Sequence, residues 1–424
     1  MIAPLLAALL LAAQIRPPLD STTAARVLSQ LRTSDSTICA LAGEALGNYG
    51  GFWGWGFSDP GMAMPRPMPT PMPMPGGGGG GMDVDFHESP HDMDPAVLRA
   101  FRAVIRDDNR CVRNIAARVL GRHRGSDTRD LFATLLRDSR ADLRETGALG
   151  LGELEDARSI NALSDALGRD TSSTVRMTAA WALGETEEKS TIDALARALG
   201  DRAPEVRRTA AWALGEIEDA RAVRPLGVAL NDPSLDVRIV AVWALGEIED
   251  AAAVPLLAPA TKDREPRVRQ AVAWALGEIE SAQGIAALET LMRDPVTDVR
   301  KTAIWALGEI EDGGAVAPAA QALKDTDPEV RVLAAWALGE IEDDRAVEPL
   351  IAALKDSDID VRATAAWALG EIESPRARDG LTAAQRDESG AVRHAATWAL
   401  RQIDDDDDDH GPRVRVRPRV RVKP

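Results

Sequence analysis

Cysteine is nearly absent: Cys39 and Cys111 are the only two in 424 residues. They rule out a paired-cysteine zinc motif and leave either one disulfide, in an exported protein, or two reduced thiols. Histidine is almost as scarce, with five. The one His-Glu dipeptide is His87-Glu88, and His123 and His394 stand alone. No Ser/His/Asp set and no phosphate-binding loop is found in the sequence. Positive charge is in deficit, with 50 Lys and Arg against 67 Asp and Glu and a net charge of −17. That balance argues against general nucleic-acid binding, which needs a basic surface, and favours basic partners or simple solubility. Long apolar runs are missing too. Met1–Ala13 is almost wholly apolar but too short to span a bilayer. Residues 1–13 read as a signal peptide cleaved after Ala13, although no Lys or Arg stands at the start. The other reading is an apolar helix that caps the fold. Cleavage would place the protein in the periplasm or outside the cell; without it the protein is cytoplasmic.

What the chain has in abundance is one octapeptide, Trp-Ala-Leu-Gly-Glu-Ile-Glu-Asp. It stands at Trp212–Asp219, Trp243–Asp250 and Trp305–Asp312, with variants beginning at Trp181, Trp274, Trp336, Trp367 and Trp398. Every step between these eight tryptophans is 31 residues, and a fixed period of this length marks a solenoid of small stacked repeats. Within one period, Val347, Leu350, Ile351 and Leu354 recur at helical spacing. A Ser/Asp turn follows, then a second helical stripe of Val361, Ala365, Ala368, Leu369 and Ile372. Each repeat is therefore two short antiparallel helices that bury their apolar stripes only by stacking.

Two ladders run along the repeats. In the first, an Asp precedes an Arg by six residues, from Asp107/Arg113 to Asp387/Arg393. The Asp falls in the inter-helix turn and the Arg at the start of the second helix, where charge-assisted bonds can tie one turn to the next. In the second, each Trp is followed four residues later by Glu: Glu185, Glu216, Glu247, Glu278, Glu309, Glu340 and Glu371, with Gln402 last. Positions i and i+4 share a helix face, and the Trp points roughly 150° from the centre of the apolar stripe. Trp and Glu are thus expected on the second-helix surface, along the inner face of the solenoid. The position four before each Trp varies: Met177, Arg208, Ile239, Gln270, Lys301, Val332, Ala363 and His394.

The turn Asp, the Val-Arg pair and the Ala-Ala-x-Ala-Leu-Gly-x-Ile run resemble HEAT repeats, in particular the short class of phycobilisome (PBS) lyase HEAT-like proteins. The resemblance covers residues 94–403 as ten repeats. It implies an all-α fold, an α/α superhelical solenoid of about eleven HEAT repeats once residues 20–50 are counted as a degenerate first repeat. It says little about function, because the class includes bilin lyases, deoxyhypusine hydroxylases and pure scaffolds. The hydroxylases hold iron through His-Glu pairs in the repeats, and His87-Glu88 lies outside them. No enzyme activity and no cofactor are therefore expected; a lyase- or hydroxylase-like enzyme is an analogy of fold alone.

In the first repeat Cys39 takes the place of the ladder Arg, and in repeats two and three Arg118 and Leu149 take the place of the Trp. Residues 51–93 form a Gly/Pro/Met-rich insertion that cannot hold helix or strand and reads as disordered. Its Met62, Met64, Met68, Met72, Met74, His87 and His91 are weak candidates for copper, above all Cu(I); the alternative is a spacer. Residues 404–424 read as a disordered tail, six Asp followed by six basic residues from Arg413 to Lys423.

The ladder carries the functional reading. Indole faces beside carboxylates suit Arg and Lys. The stripe of Trp181, Trp212, Trp243, Trp274, Trp305, Trp336, Trp367 and Trp398 with its glutamates resembles the Trp/Asn arrays by which armadillo proteins of nuclear import hold basic peptides. Glu for Asn adds charge and loses the amide that grips a peptide backbone. A non-catalytic scaffold for a protein or peptide partner with basic segments is expected, the 413–424 tail being one candidate occupant. The other reading is that Trp only fills a crowded face. No nucleic acid and no transmembrane segment are expected.

Overall fold

Residues 21–32, 94–122 and 126–408 are described by the structure, a computed structural model. The signal-like segment, Cys39, the second helix of the first repeat, the insertion with its Met and His candidates, His123 and the basic tail lie outside them. The described residues contain α-helices and short 3₁₀ turns and no strand, the all-α solenoid that the period implies. They fall into two compact units, one ending at Ile217 and the other beginning at Glu218. No helix among the described residues is long and apolar enough to cross a membrane.

In the first compact unit, α1 (Ser21–Leu31) is what the structure describes of the degenerate repeat. The helix pairs α2 (Pro95–Ala103) and α3 (Arg110–Arg122), α4 (Ser126–Leu135) and α5 (Ala141–Glu153), α6 (Ile160–Arg169) and α7 (Ser173–Gly184), and α8 (Ile192–Ala198) and α9 (Pro204–Glu216) follow. The second compact unit continues with α10 (Val223–Ala229) and α11 (Leu235–Glu247), α12 (Val254–Leu257) and α13 (Pro266–Glu278), and α14 (Ile285–Leu291) and α15 (Thr297–Ile310). It ends with α16 (Val316–Ala322) and α17 (Pro328–Glu340), α18 (Val347–Ala353) and α19 (Ile359–Glu371), and α20 (Arg378–Ala384) and α21 (Gly390–Asp408).

Within each unit every second helix packs most extensively on the second helix of a neighbouring repeat, while each first helix lies on its own partner. In α19, Val361, Ala365, Ala368 and Leu369 are fully buried, as the stripe requires. Alanine dominates this layer, which lets neighbouring helices approach closely. Burial of leucines such as Leu350 and Leu369 contributes about 1.5–3 kcal/mol each.

The end of the octapeptide explains itself locally. Its last Glu takes a left-handed backbone, with φ between 47° and 54° at Glu155, Glu187, Glu218, Glu249, Glu280, Glu311, Glu342 and Glu373. This ends the second helix: Glu311 donates its N–H to the carbonyl of Gly308 at 3.2 Å. The Asp that follows starts the next element, and the Asp312 carboxylate accepts from the Gly314 N–H at 2.7 Å. Glu-Asp is a stop signal and a start signal side by side.

The Asp/Arg ladder joins consecutive repeats. Arg176 donates through Nε and Nη2 to Asp201 of the next repeat at 2.7 and 2.9 Å. Its Nη1 donates to the carbonyl of Asp170 in its own turn at 2.8 Å. The same fork recurs in the second unit, for example at Arg300–Asp325 and Arg362–Asp387. Towards the N-terminal end the donor changes: Arg32, at the end of α1, holds Asp107, and Arg106 holds Asp138. Cys111 is disulfide-bonded.

Candidate functional site: the tryptophan and glutamate ladder

All eight ladder tryptophans lie on second helices and are half-buried, as are Glu185, Glu216, Glu247, Glu278, Glu309, Glu340 and Glu371. The expected surface position is met for part of each ring only. The reason lies in the preceding repeat. The Cζ3 edge of each indole, where the pair is described within one compact unit, rests over the octapeptide glycine one repeat earlier. A Cβ built on Gly152 would come 2.6 Å from Cζ3 of Trp181, and one on Gly308 2.7 Å from that of Trp336. Gly184, Gly246, Gly277, Gly339 and Gly370 meet Trp212, Trp274, Trp305, Trp367 and Trp398 in the same way. Trp336 also packs against a core of Ile304, Val330, Leu333 and Ala337. The indole is thus both a packing element and a partly open surface. Within each compact unit these contacts near the helix C-termini also fix the direction of stacking: the second helices run parallel, with their C-terminal ends along one edge of that unit.

That edge is acidic. Each helix Glu stands one turn beyond its Trp, and the left-handed Glu follows two residues later. In the first unit, burial, then the charges of Glu153, Glu216, Glu155 and Glu187, push the Glu185 carboxyl up to about 7. In the second, burial, then Glu278, Glu340, Glu280 and Glu311, do the same to Glu309, again to about 7. The left-handed line of glutamates was not singled out in the sequence as a surface; its signal was the unchanging Ile-Glu-Asp. The variable position four before the Trp lies on the same flank. Ile239 and Ala363 are buried there, and Lys301 reaches Glu329 of the next repeat at 2.7 Å.

The copper candidates Met62, Met64, Met68, Met72, Met74, His87 and His91 lie outside the described residues. Among the described residues no group of three or more His, Cys, Asp or Glu could hold a metal ion. His394 is exposed at the start of α21.

Comparisons with known proteins agree with this architecture. The yeast importin-β (Kap95p) structure has the same fold, with a TM-score of 0.53 at 15% identity over 74% of this chain and 51% of that one. This chain therefore spans about half the length of importin-β. A structure that reports Kap95p binding to RanGDP gives a TM-score of 0.52 at the same identity and coverage. Human deoxyhypusine hydroxylase, at 24% identity over 60% of this chain and 99% of its own, has a TM-score of 0.29. No curated protein sequence matches the chain. The family profile described as HEAT repeats matches residues 98–184, 166–228, 223–308, 290–358 and 347–409. With most of its length matched repeat after repeat, the chain belongs to the HEAT-repeat family.

Proposed function

We propose that the protein is a non-catalytic scaffold whose second-helix face receives extended basic segments of a partner protein. The observation that carries this reading is the line of half-buried glutamates, each one turn from a half-buried tryptophan and flanked along the stack by further carboxylates. Cations laid along that line would favour the ionised form of Glu185 and Glu309, which burial and then the neighbouring glutamates disfavour. They would also meet indole surface, at about 0.5–2 kcal/mol per contact. Several such contacts, less the cost of association, correspond to roughly micromolar affinity. Protein binding by importin-β, which shares the fold, is in keeping with the reading. The 31-residue period and the Ala-Leu-Gly-x-Ile run favour the PBS-lyase HEAT-like class as the subclass. The disulfide at Cys111 supports an exported protein, since disulfides persist in oxidising compartments.

The test is fluorescence anisotropy of a labelled twelve-residue Arg/Lys peptide, against an acidic peptide of equal length, with tryptophan emission read in parallel. Saturable, salt-sensitive binding of the basic peptide alone, with a change in emission, is the expected result. Equal binding of both peptides, or of neither, removes the reading. Copper handling by residues 51–93 is a separate question for Cu(I) titration, where unchanged spectra and stability would dismiss it.

A further inference from the structure

The last repeat departs from the others at the acidic edge. Where Glu373 takes the left-handed backbone six residues after Trp367, the corresponding Asp404 after Trp398 stays helical. It pairs with Arg378 at 2.5 Å, and α21 runs on to Asp408. Because the second helices are parallel, α21 overruns the edge that carries the glutamates by four residues, about 6 Å. Asp408, where α21 ends, therefore lies just past Glu371 and Glu373, with the next carboxylate pairs receding along the stack at Glu340 and Glu342, then Glu309 and Glu311.

Residues 409–424 follow, and from Arg413 to Lys423 every second position is basic, with Pro418 between Arg417 and Arg419. We propose that this segment is an occupant of the acidic edge of the second compact unit, lying across α19, α17, α15 and α13 and competing with basic partners. The inference rests on the basic-segment reading above. Three observations carry it. The segment is delivered at the right edge. Sixteen extended residues reach about 50 Å, or roughly five helices at about 10 Å each. And the charges match in density. The helix Glu and the left-handed Glu together supply two carboxylates per repeat, about one every 5 Å, against a cation roughly every 6.6 Å along an extended chain. The helix glutamates alone, one per repeat, would leave about one cation in three unmatched. Tethering raises the local concentration of the segment to about millimolar, so a groove of micromolar affinity would be largely closed.

The experiment compares the full native chain with a full chain in which the basic residues are neutralised (R413Q, R415Q, R417Q, R419Q, R421Q, K423Q). Both are titrated with a labelled peptide of residues 411–424 and with the unrelated Arg/Lys peptide, circular dichroism confirming equal helicity. The neutralised chain should bind both peptides at least ten-fold more tightly. Adding E340Q, E342Q, E371Q and E373Q should reverse most of that gain. Equal binding of the Arg/Lys peptide by native and neutralised chains overturns the tail as occupant and leaves the scaffold reading standing. A gain that survives the four Glu→Gln changes places the segment elsewhere, such as on its own Asp run, and also overturns the proposal. Failure of the neutralised chain to bind either peptide removes the scaffold reading itself.

Discussion

Trp398 lies with the Cζ3 edge of its indole against Gly370 of the preceding repeat, where an added Cβ would come within 2.5 Å of it and within 2.9 Å of the Ala399 backbone. Neither obstacle is the loose end of a flexible side chain, so Gly370→Ala must push the two helices apart. The helix-propensity gain of about 1 kcal/mol from replacing Gly is outweighed by overpacking of about 1–3 kcal/mol. Net destabilisation of up to about 2 kcal/mol is expected. Gly168→Ala is the control: it is exposed in α6 with nothing within 4 Å of the new Cβ, and it should be neutral or slightly stabilising. Urea melts of the two variants check the contrast. Equal behaviour would show that the indole does not need the glycine.

The Arg176–Asp201 fork makes a second prediction. Arg176 is 4% exposed and its other contact is to a backbone carbonyl, so Asp201→Asn leaves a buried guanidinium without its carboxylate. Hydrogen bonds to charged groups are worth about 1.5–3 kcal/mol, and a loss of about 2 kcal/mol is expected. Because this fork connects consecutive repeats, the loss should also broaden the unfolding transition, as contact between neighbouring repeats weakens. A double-mutant cycle with Arg176→Met that gives no coupling would contradict this assignment.

Much of this architecture was legible in the sequence. The 31-residue period, the two stripes of Val347–Leu354 and Val361–Ile372, and the Asp/Arg ladder as a structural tie all follow from spacing alone. The half-burial of Trp367 was not legible, because helical geometry places a side chain on its own helix and knows nothing of the neighbour that covers it. The glycine beneath the indole was hidden for a related reason. Within a helix Gly370 reads only as a weak point, and its partner Trp398 is a repeat away. The left-handed Glu373 ran against propensity, since glycine or asparagine is the usual choice there. Its presence doubles the carboxylate line on which the functional reading depends.

Glu280 tests that last point. It is exposed with φ 48°, a conformation that costs a residue with a Cβ roughly 1 kcal/mol or more. Glu280→Gly removes the strain, and thermal unfolding should show a gain of about 0.5–1 kcal/mol. The same change removes one carboxylate from the edge, so affinity for the basic peptide should fall two- to five-fold, roughly one exposed charge pair. Stability and binding should therefore move in opposite directions. A variant that gains stability and keeps full affinity would show that this glutamate serves only as a helix stop.

The pH dependence follows from Glu185 and Glu309. Their carboxyls are raised from an ordinary 4.5 to about 7 in the folded protein, chiefly by burial and then by neighbouring glutamates. The folded chain therefore binds these protons more tightly than the unfolded chain, and the stability they contribute is full below pH 4.5 and lost as pH rises through about 7. The ladder carboxylates act in the opposite sense at lower pH. Burial opposes the ionisation of Asp201 and Asp325, but the Arg176 and Arg300 forks and backbone N–H groups hold both carboxyls below their ordinary value. That contribution is intact at pH 5 and fails only as pH falls through the lowered values. The melting temperature should thus rise on acidification from pH 8 to pH 5, and Glu185→Gln with Glu309→Gln should remove most of the rise. Binding should run the other way: a basic segment needs the ionised carboxylates, so its affinity should increase from pH 6 to pH 8, roughly three- to ten-fold. The double variant should flatten that profile as well. A binding profile that stays steep without these two glutamates would assign the titration to other groups.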